Sequence, residues 1–251
     1  MKFFQLGVNA AFILRKHGIY IVREADPLPE ESWQQRKEFL EQARIIYKRH
    51  FKQTTDTITA LQKKYERPVF GKVRLWRLME LLAQCIDSSD PTLYCVSQLV
   101  HVLQVVDGME RDGIQDTDLM LTGLIHDLGK ILLLTGEAPE NVVCLNAPIG
   151  DYEKGVGLDN CIFQWNHDQF LYSRLKDAVP DHVAWLLRYH SIYIPECEYL
   201  MNQRDRIYTE RYLHVFQKYD KRTKSVYHLP RNGIEKYRGL IEERFPQPIV
   251  F

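Results

Sequence analysis

Residues 121–134 read LTGLIHDLGKILLL, an apolar run with His126, Asp127 and Lys130 set in its middle. No other stretch constrains the chain as tightly. So apolar a run predicts a buried helix, and an unpaired Asp or Lys inside one costs several kcal/mol. Ionisable groups persist in such a place only beside a partner that needs them. The partner is a metal, a substrate or a satisfied core network.

More ionisable groups stand on apolar helical stripes elsewhere. His101 sits in QLVHVLQVV between Val100 and Val102, and His167 opens QWNHDQFLY with Phe170 and Leu171 at i+3 and i+4. His190 follows Leu186 and Leu187 in AWLLRYHSIY, and Asp220 follows Leu213 and Phe216 along YLHVFQKYD. On a helix His126 and Asp127 are about 100° apart and approach one centre from adjacent angles. A carboxylate, with two oxygens, can bridge two ions. Taken singly, each group has a structural explanation: a hydrogen-bonded core histidine, an Asp127–Lys130 salt bridge, an Asp220 helix cap. Together, four histidines and two aspartates on five inward stripes would need many separate satisfactions. Imidazole and carboxylate without thiolate suit iron or manganese, with zinc also open. Six ligands, one of them bridging, leave open positions on two ions, which metal-assisted chemistry requires. His17, His50, His182, His214 and His228 lie in polar or chain-end contexts and read as structural or solvent-exposed.

Helical patterning starts near Glu30 and runs to a stop at Pro68–Gly71. It resumes at 75–86, 96–113, 116–136, 161–177, 181–192, 196–219 and 232–244. The Gly- and Pro-containing stretch 137–160 reads as a loop, and residues 1–30 as a small irregular extension in which GIYIV (18–22) is a candidate strand. The expected architecture is all-α, a single helical domain over 31–251. With 33 basic and 33 acidic residues, nothing in the overall charge calls for nucleic acid or an anionic membrane. The five cysteines are odd in number and lack a C-x-x-C pair, which favours free thiols in a reducing, cytoplasmic setting. No apolar run is long enough for a membrane span. The opening MKFFQLGVNAAFILRK is broken by Gln5 and Asn9 and ends on Arg15-Lys16, unlike a secretory signal.

The order His101, His126-Asp127, Asp220 is similar to the H…HD…D pattern of the HD-domain superfamily, which holds both phosphohydrolases and oxygenases. Longer strings are more specific. SSDPTLY, LVHVLQVVDGMERDG, LTGLIHDLGKILLLTGE, WNHDQFLY, LLRYHSIY, FQKYDKRTK and YRGLIEERFPQPI together resemble the myo-inositol oxygenase family, in the right order from about Ser32 to the C-terminus. This resemblance implies an HD-type fold with a mixed-valent Fe(II)/Fe(III) pair, O2 as co-substrate, and opening of inositol to glucuronate without an outside reductant. It implies His101, His126 and Asp220 on one iron, His167 and His190 on the other, and Asp127 bridging. Lys130 and Lys224 match family lysines that contact the substrate, and Ser191 and Asp87 match further contacts. Tyr47 matches a tyrosine near the site. The family is often monomeric, and a monomer is expected.

The departures fall on the pocket. Where the family has a Gly-Asp pair that hydrogen-bonds inositol hydroxyls, counting along APENVVCLN puts Cys144-Leu145, and leucine accepts no hydrogen bond. The segment 137–160 is shorter than in the animal enzymes, and the family's GHDEY reads NHDQF. The resemblance therefore implies the chemistry and leaves the substrate open between inositol, another small polyol and an organophosphonate. Two other readings stand beside it. A two-metal phosphohydrolase would use the same ligands to activate water, and a non-catalytic descendant would keep the fold as an interaction module.

Overall fold

The computed structural model describes residues 12–14, 20–22, 30–226 and 228–251. In chain order the elements begin with β1 (Phe12–Leu14) and β2 (Tyr20–Val22), an antiparallel pair, followed by α1 (Glu30–His50) and α2 (Thr55–Lys64). Next come β3 (Lys72–Val73), α3 (Leu75–Leu82), α4 (Gln98–Arg111), α5 (Thr117–Ile125) and a 3-10 turn over Leu128–Thr135. After β4 (Pro148–Ile149) and β5 (Ile162–Phe163) come α6 (His167–Leu175), α7 (Asp181–Tyr189), α8 (Ile194–Cys197) and α9 (Gln203–Tyr208). One π turn, Thr209–Leu213, leads into α10 (His214–Arg222), and α11 (Arg238–Arg244) and β6 (Ile249–Val250) close the chain. The two-residue strands pair antiparallel, β3 with β6 and β4 with β5. The protein is a mostly helical single domain, as its patterning predicts. The strand expected within 18–22 is present as β2. The remaining readings on residues 1–30, including the His17 assignment and the signal-like opening, lie outside the described residues.

Helix α4 is the spine. Every residue from Gln98 to Met109 is buried, and α5, α3 and α10 pack around it. One apolar cluster runs through α2 to α7 and on to α11, with Leu78, Val102, Leu124, Phe170, Trp185 and Phe216 at its heart. A covered core of this kind stabilises a chain of this size mainly by removing apolar area from water.

Several boundaries differ from the sequence expectation: the helix expected over 161–177 starts only at His167, after β5, and the one expected over 196–219 is interrupted at Met201–Asn202, before α9. Two further differences have local causes that bear on the site. The continuous helix expected from Glu30 to about Pro68 is broken at Phe51–Thr54. Gln53 turns inward there to exchange hydrogen bonds with the backbone of Trp165 (2.9 and 2.7 Å), and Thr54 caps α2 by accepting from Thr57 N at 3.3 Å. The helix expected through 116–136 begins at Asp116, whose side chain accepts from Asp118 N and Leu119 N at 2.9 and 3.0 Å. Its α part stops at Ile125, and the 3-10 turn carries the rest to Gly136, in the left-handed region at φ 82°. His126 and Asp127 therefore stand at a helix end, not in mid-helix. Among the described residues, no helix is long and apolar enough to cross a membrane, and all five cysteines are free thiols.

Candidate metal centre

The placement of three histidines follows from where helices start and stop. The last carbonyls of a helix lack intrahelical partners. His126, just past α5, turns Nδ1 back to Gly123 O at 3.0 Å, and His190, just past α7, turns Nδ1 to Leu187 O at 3.2 Å. His167 is the first residue of α6, which Asn166 caps by accepting from Gln169 N at 3.1 Å; its Nδ1 faces Val143 O at 3.0 Å. A carbonyl only accepts, so each Nδ1 carries the proton, and each Nε2 presents a lone pair to the interior. Histidine metal ligands are commonly oriented in this way.

Those lone pairs converge on two carboxylates. His101, near the start of α4, brings Nε2 to 3.0 Å from Asp220 Oδ1, and His126 Nε2 lies 3.7 Å from the same oxygen. Asp127 stands between the two halves of the cluster. Its Oδ2 is 3.5 Å from both His101 and His126 Nε2, while its Oδ1 is 3.0 Å from His167 Nε2 and 4.0 Å from His190 Nε2. The six groups expected to be ligands, from five separate segments, are thus together, and all are at most 8% exposed.

Does this cluster fit metal ions rather than a protein network? Three features favour ions. His167 and His190 face each other Nε2 to Nε2 at 3.2 Å, a pair of lone pairs that only a cation or an added proton reconciles. His126 Nε2 and Asp127 Oδ2 are buried with no hydrogen-bond partner, although unsatisfied buried polar atoms are rare. Asp87, Asp90, Asp127, Asp168 and Asp220 are all buried here, against the ammonium groups of Lys130 and Lys224 and the more exposed Lys221 at the cavity edge. Imidazole and carboxylate donors in this proportion suit first-row metals.

Burial, reinforced by His126 and His167, pushes the His190 imidazole down to about 4 despite nearby Asp168, and burial lowers His101 as well. For His167 the carboxylates of Asp168 and Asp127 outweigh burial and raise it. Asp127 is held well below the usual carboxylate range: burial opposes ionisation, but the Lys130 ammonium and His126 outweigh it.

A cavity of about 310 Å³ opens onto this cluster, lined by Asp127, His190, Asp220, Ser191, Lys224, Cys144, Tyr47 and the Ser89–Thr92 loop. That is the lower end of the range for small-molecule sites. Of the residues expected to contact substrate, Lys224 and Ser191 line it. Lys224 Nζ is 2.9 Å from Asp90 Oδ2 and 3.8 Å from Asp220 Oδ1. Burial opposes its charge, yet Asp220 and its neighbours raise it well above the ordinary lysine value. Lys130 and Asp87 do not line the cavity. They form a buried ion pair behind Asp127, with Lys130 Nζ 3.0 Å from Asp87 Oδ2, 3.0 Å from Asp127 Oδ2 and 2.8 Å from Gln98 Oε1. Only the Gln98 contact has hydrogen-bond geometry; the two carboxylates are ion-pair partners. Asp87 Oδ1 accepts from Ser89 N and Oγ at 2.8 and 2.6 Å. Tyr47, on α1, lines the cavity, and burial raises its phenol. Its helix is pinned beside the site by His50, whose Nδ1 meets Glu140 O at 2.7 Å.

Known proteins resemble this chain in sequence. The myo-inositol oxygenase family model matches residues 40–144 and 140–251. The chain belongs to the myo-inositol oxygenase family. It is 33% identical to a probable inositol oxygenase of Oryza sativa subsp. japonica, over 86% of this chain and 82% of the relative. It is 31% identical to inositol oxygenase 1 of Arabidopsis thaliana over 80% and 76%, and 25% identical to the inositol oxygenase of Bos taurus over 78% and 82%.

Two stretches of family match meet at residues 140–144, inside the segment expected to be shorter than in the animal members of the myo-inositol oxygenase family. Cys144, not Leu145, faces the cavity there. Leu145 instead uses its carbonyl to accept from Asn166 Nδ2 at 2.9 Å. Sequence reasoning also passed over Asp168. Its Oδ1 is 3.1 Å from His167 Nε2 and 3.6 Å from His190 Nε2, and it accepts from Ser191 Oγ at 2.9 Å. The usable signal was its place beside His167 in the first turn of a buried helix, where a carboxylate is favoured yet has no solvent to face. Asp90, the partner of Lys224, was hidden in the turn-like string DSSDP, which gives no hint of burial.

Proposed function

We propose that this chain is a di-iron, O2-dependent oxygenase that opens the ring of inositol or a closely related small polyol. The observation that carries the reading is the division of the Asp127 carboxylate, one oxygen toward His101 and His126 and the other toward His167 and His190. His101, His126 and Asp220 would hold one iron, His167 and His190 the other, and Asp127 would bridge them. An iron pair bound there supplies O2 activation and chelation of adjacent hydroxyls.

The chain's own groups do the positioning. Lys224 Nζ stays protonated and faces the cavity, so it donates to a substrate oxygen and does not take a proton from one. Tyr47 Oη likewise stays a neutral phenol at the cavity wall. Ser191 is held by Asp168, Oγ to Oδ1 and backbone N to Oδ2 at 3.2 Å, which fixes the cavity edge next to His190. Lys130, buried behind Asp127, keeps that carboxylate ionised and ready to bridge. Helix α1 and the Ser89–Thr92 loop cover the site and limit water there, which strengthens every polar contact made within it.

Protein loaded with iron should bind two ions per chain, consume O2 on addition of myo-inositol, and show a mixed-valent electron paramagnetic resonance signal that moves when substrate binds. Fully loaded protein that consumes no O2 with any polyol or phosphonate refutes the reading. Anaerobic, manganese-supported hydrolysis of phosphoesters would replace it with the phosphohydrolase alternative.

A further inference from the structure

The six-ligand arrangement leaves two donors at the centre outside it: Asp168, whose carboxylate is engaged by Ser191, and Cys144. Cys144 Sγ, an Asp127 carboxylate oxygen and a His167 ring nitrogen lie within 4.8 Å of one another. Bonds of about 2.3 Å to sulfur and about 2.1 Å to nitrogen allow two donors on one ion to stand up to about 4.4 Å apart. A small side-chain adjustment therefore brings all three onto a common cation.

The backbone enforces this proximity from both sides of the cysteine. Val143 O faces His167 Nδ1 at 3.0 Å, and Leu145 O accepts from Asn166 Nδ2 at 2.9 Å. The thiol cannot leave the start of α6 without breaking one of these. Its own contact is weak, a long S–H donation to Asp87 Oδ2 at 3.8 Å. Independently, His167 and His190 face each other Nε2 to Nε2 at 3.2 Å beside Asp127 Oδ1, a pair of buried lone pairs that a cation on this side reconciles. Cys144 also lines the cavity, so it stands on the side from which substrate arrives.

The geometry points to Cys144 as a direct sulfur ligand of the ion held by Asp127 and His167. The inference rests on the metal reading above. As the ion binds, the S–H bond breaks, a sulfur–metal bond forms, and the proton leaves to solvent through the cavity; no electrons are transferred. The sulfur takes one of the open positions, so a substrate chelates this ion through one oxygen fewer than in a site without it.

Cobalt(II) reports thiolate ligation directly. The full chain is loaded anaerobically with cobalt(II), and its near-ultraviolet absorption and cobalt content are measured. Wild type should show a sulfur-to-cobalt charge-transfer band. Cys95→Ser, altered in a separate apolar cluster, should keep it. Cys144→Ser and Cys144→Ala should lose the band while retaining the cobalt content, because the other ligands remain. Wild type that binds cobalt without the band, or a Cys144 variant that keeps it, overturns the assignment. If no variant takes up cobalt, the metal reading fails and this inference with it, an outcome that the cobalt content separates from the others.

Discussion

Gly129 tests whether the 3-10 turn and α6 are packed for the sake of the metal centre. A Cβ built at Gly129 would lie 2.2 Å from the His167 carbonyl oxygen, 2.9 Å from its carbonyl carbon and 3.0 Å from its Cβ. A carbon–oxygen contact needs about 3.3 Å, so Gly129→Ala must push the first residue of α6 away by about 1 Å. The clash is with backbone, which cannot swing aside. Overpacking of this kind costs about 1–3 kcal/mol, a fall in Tm on the order of 5 °C for a chain of this size. The effect on the site should be larger, since a misplacement of about 1 Å in a reacting constellation costs about 100-fold in rate. Gly136→Ala is the matched control. Its φ is 82° and a Cβ there meets nothing within 4 Å, so it loses about 1–2 kcal/mol to left-handed strain alone. Thermal melting and metal content after dialysis separate the two. Both variants should melt earlier, and only Gly129→Ala should lose the metal of the His167 and His190 half. If Gly129→Ala keeps both metals and full turnover while melting like Gly136→Ala, the close approach has no bearing on the site.

Two aspartates and a lysine carry further expectations. Asp127→Asn should abolish binding of both metals, because one carboxylate spans the two halves, whereas Lys224→Met should leave metal content intact and raise KM. Equal metal loss in the two variants would show that the roles are misassigned. Asp90 supplies a pH test. Burial opposes its ionisation, but Lys224 and Lys130 hold its carboxyl down to about 2 from an ordinary 3.8, a difference of about 2 kcal/mol. Because the folded group is the stronger acid, this stabilisation is complete above pH 3.8 and is lost as the pH falls toward 2. The Tm gap between wild type and Asp90→Asn should therefore be constant from pH 7 to 5 and shrink below pH 4; a gap that widens with acid refutes the pairing.

The six clustered side chains were legible because imidazole and carboxylate on an apolar stripe are improbable without a cause, and each stripe is visible in a local window. His101 between two valines and His126-Asp127 within LTGLIHDLGK needed no knowledge of the fold. Other features depend on contacts distant in sequence. The break in the first long helix is decided by Gln53 bonding Trp165, far along the chain. Periodicity through 47–65 carries no trace of that bond. Lys130 and Asp87 looked like substrate contacts by position, but their partners come from three segments that only the fold assembles, and these turn both groups away from the cavity. Cys144 and Asp168 were each read as a neighbour of something else. Their importance lies in where their side-chain atoms point, and no one-dimensional spacing encodes that.

Crowding of carboxylates ties metal binding to stability. Five buried aspartates face the ammonium groups of Lys130 and Lys224, with Lys221 at the cavity edge, so in the absence of ions the folded state bears uncompensated like-charge repulsion in a region of low dielectric. Divalent cations remove that repulsion and bind only where the helices have brought the ligands together, so their binding free energy adds to folding. An ion present at 100 times its dissociation constant contributes about 2.7 kcal/mol, which for a domain of this length raises Tm by about 5–10 °C. Stripping metal with a chelator and restoring iron(II) anaerobically should therefore lower and then recover Tm by at least that much. Asp127→Asn should melt at nearly the same temperature with or without iron, because it has lost the shared ligand. A wild-type Tm indifferent to iron, or an Asp127→Asn shift as large as that of wild type, would mean the carboxylates are balanced by protons on the histidines instead, with His167, the one whose affinity for a proton is raised, as the first to carry one.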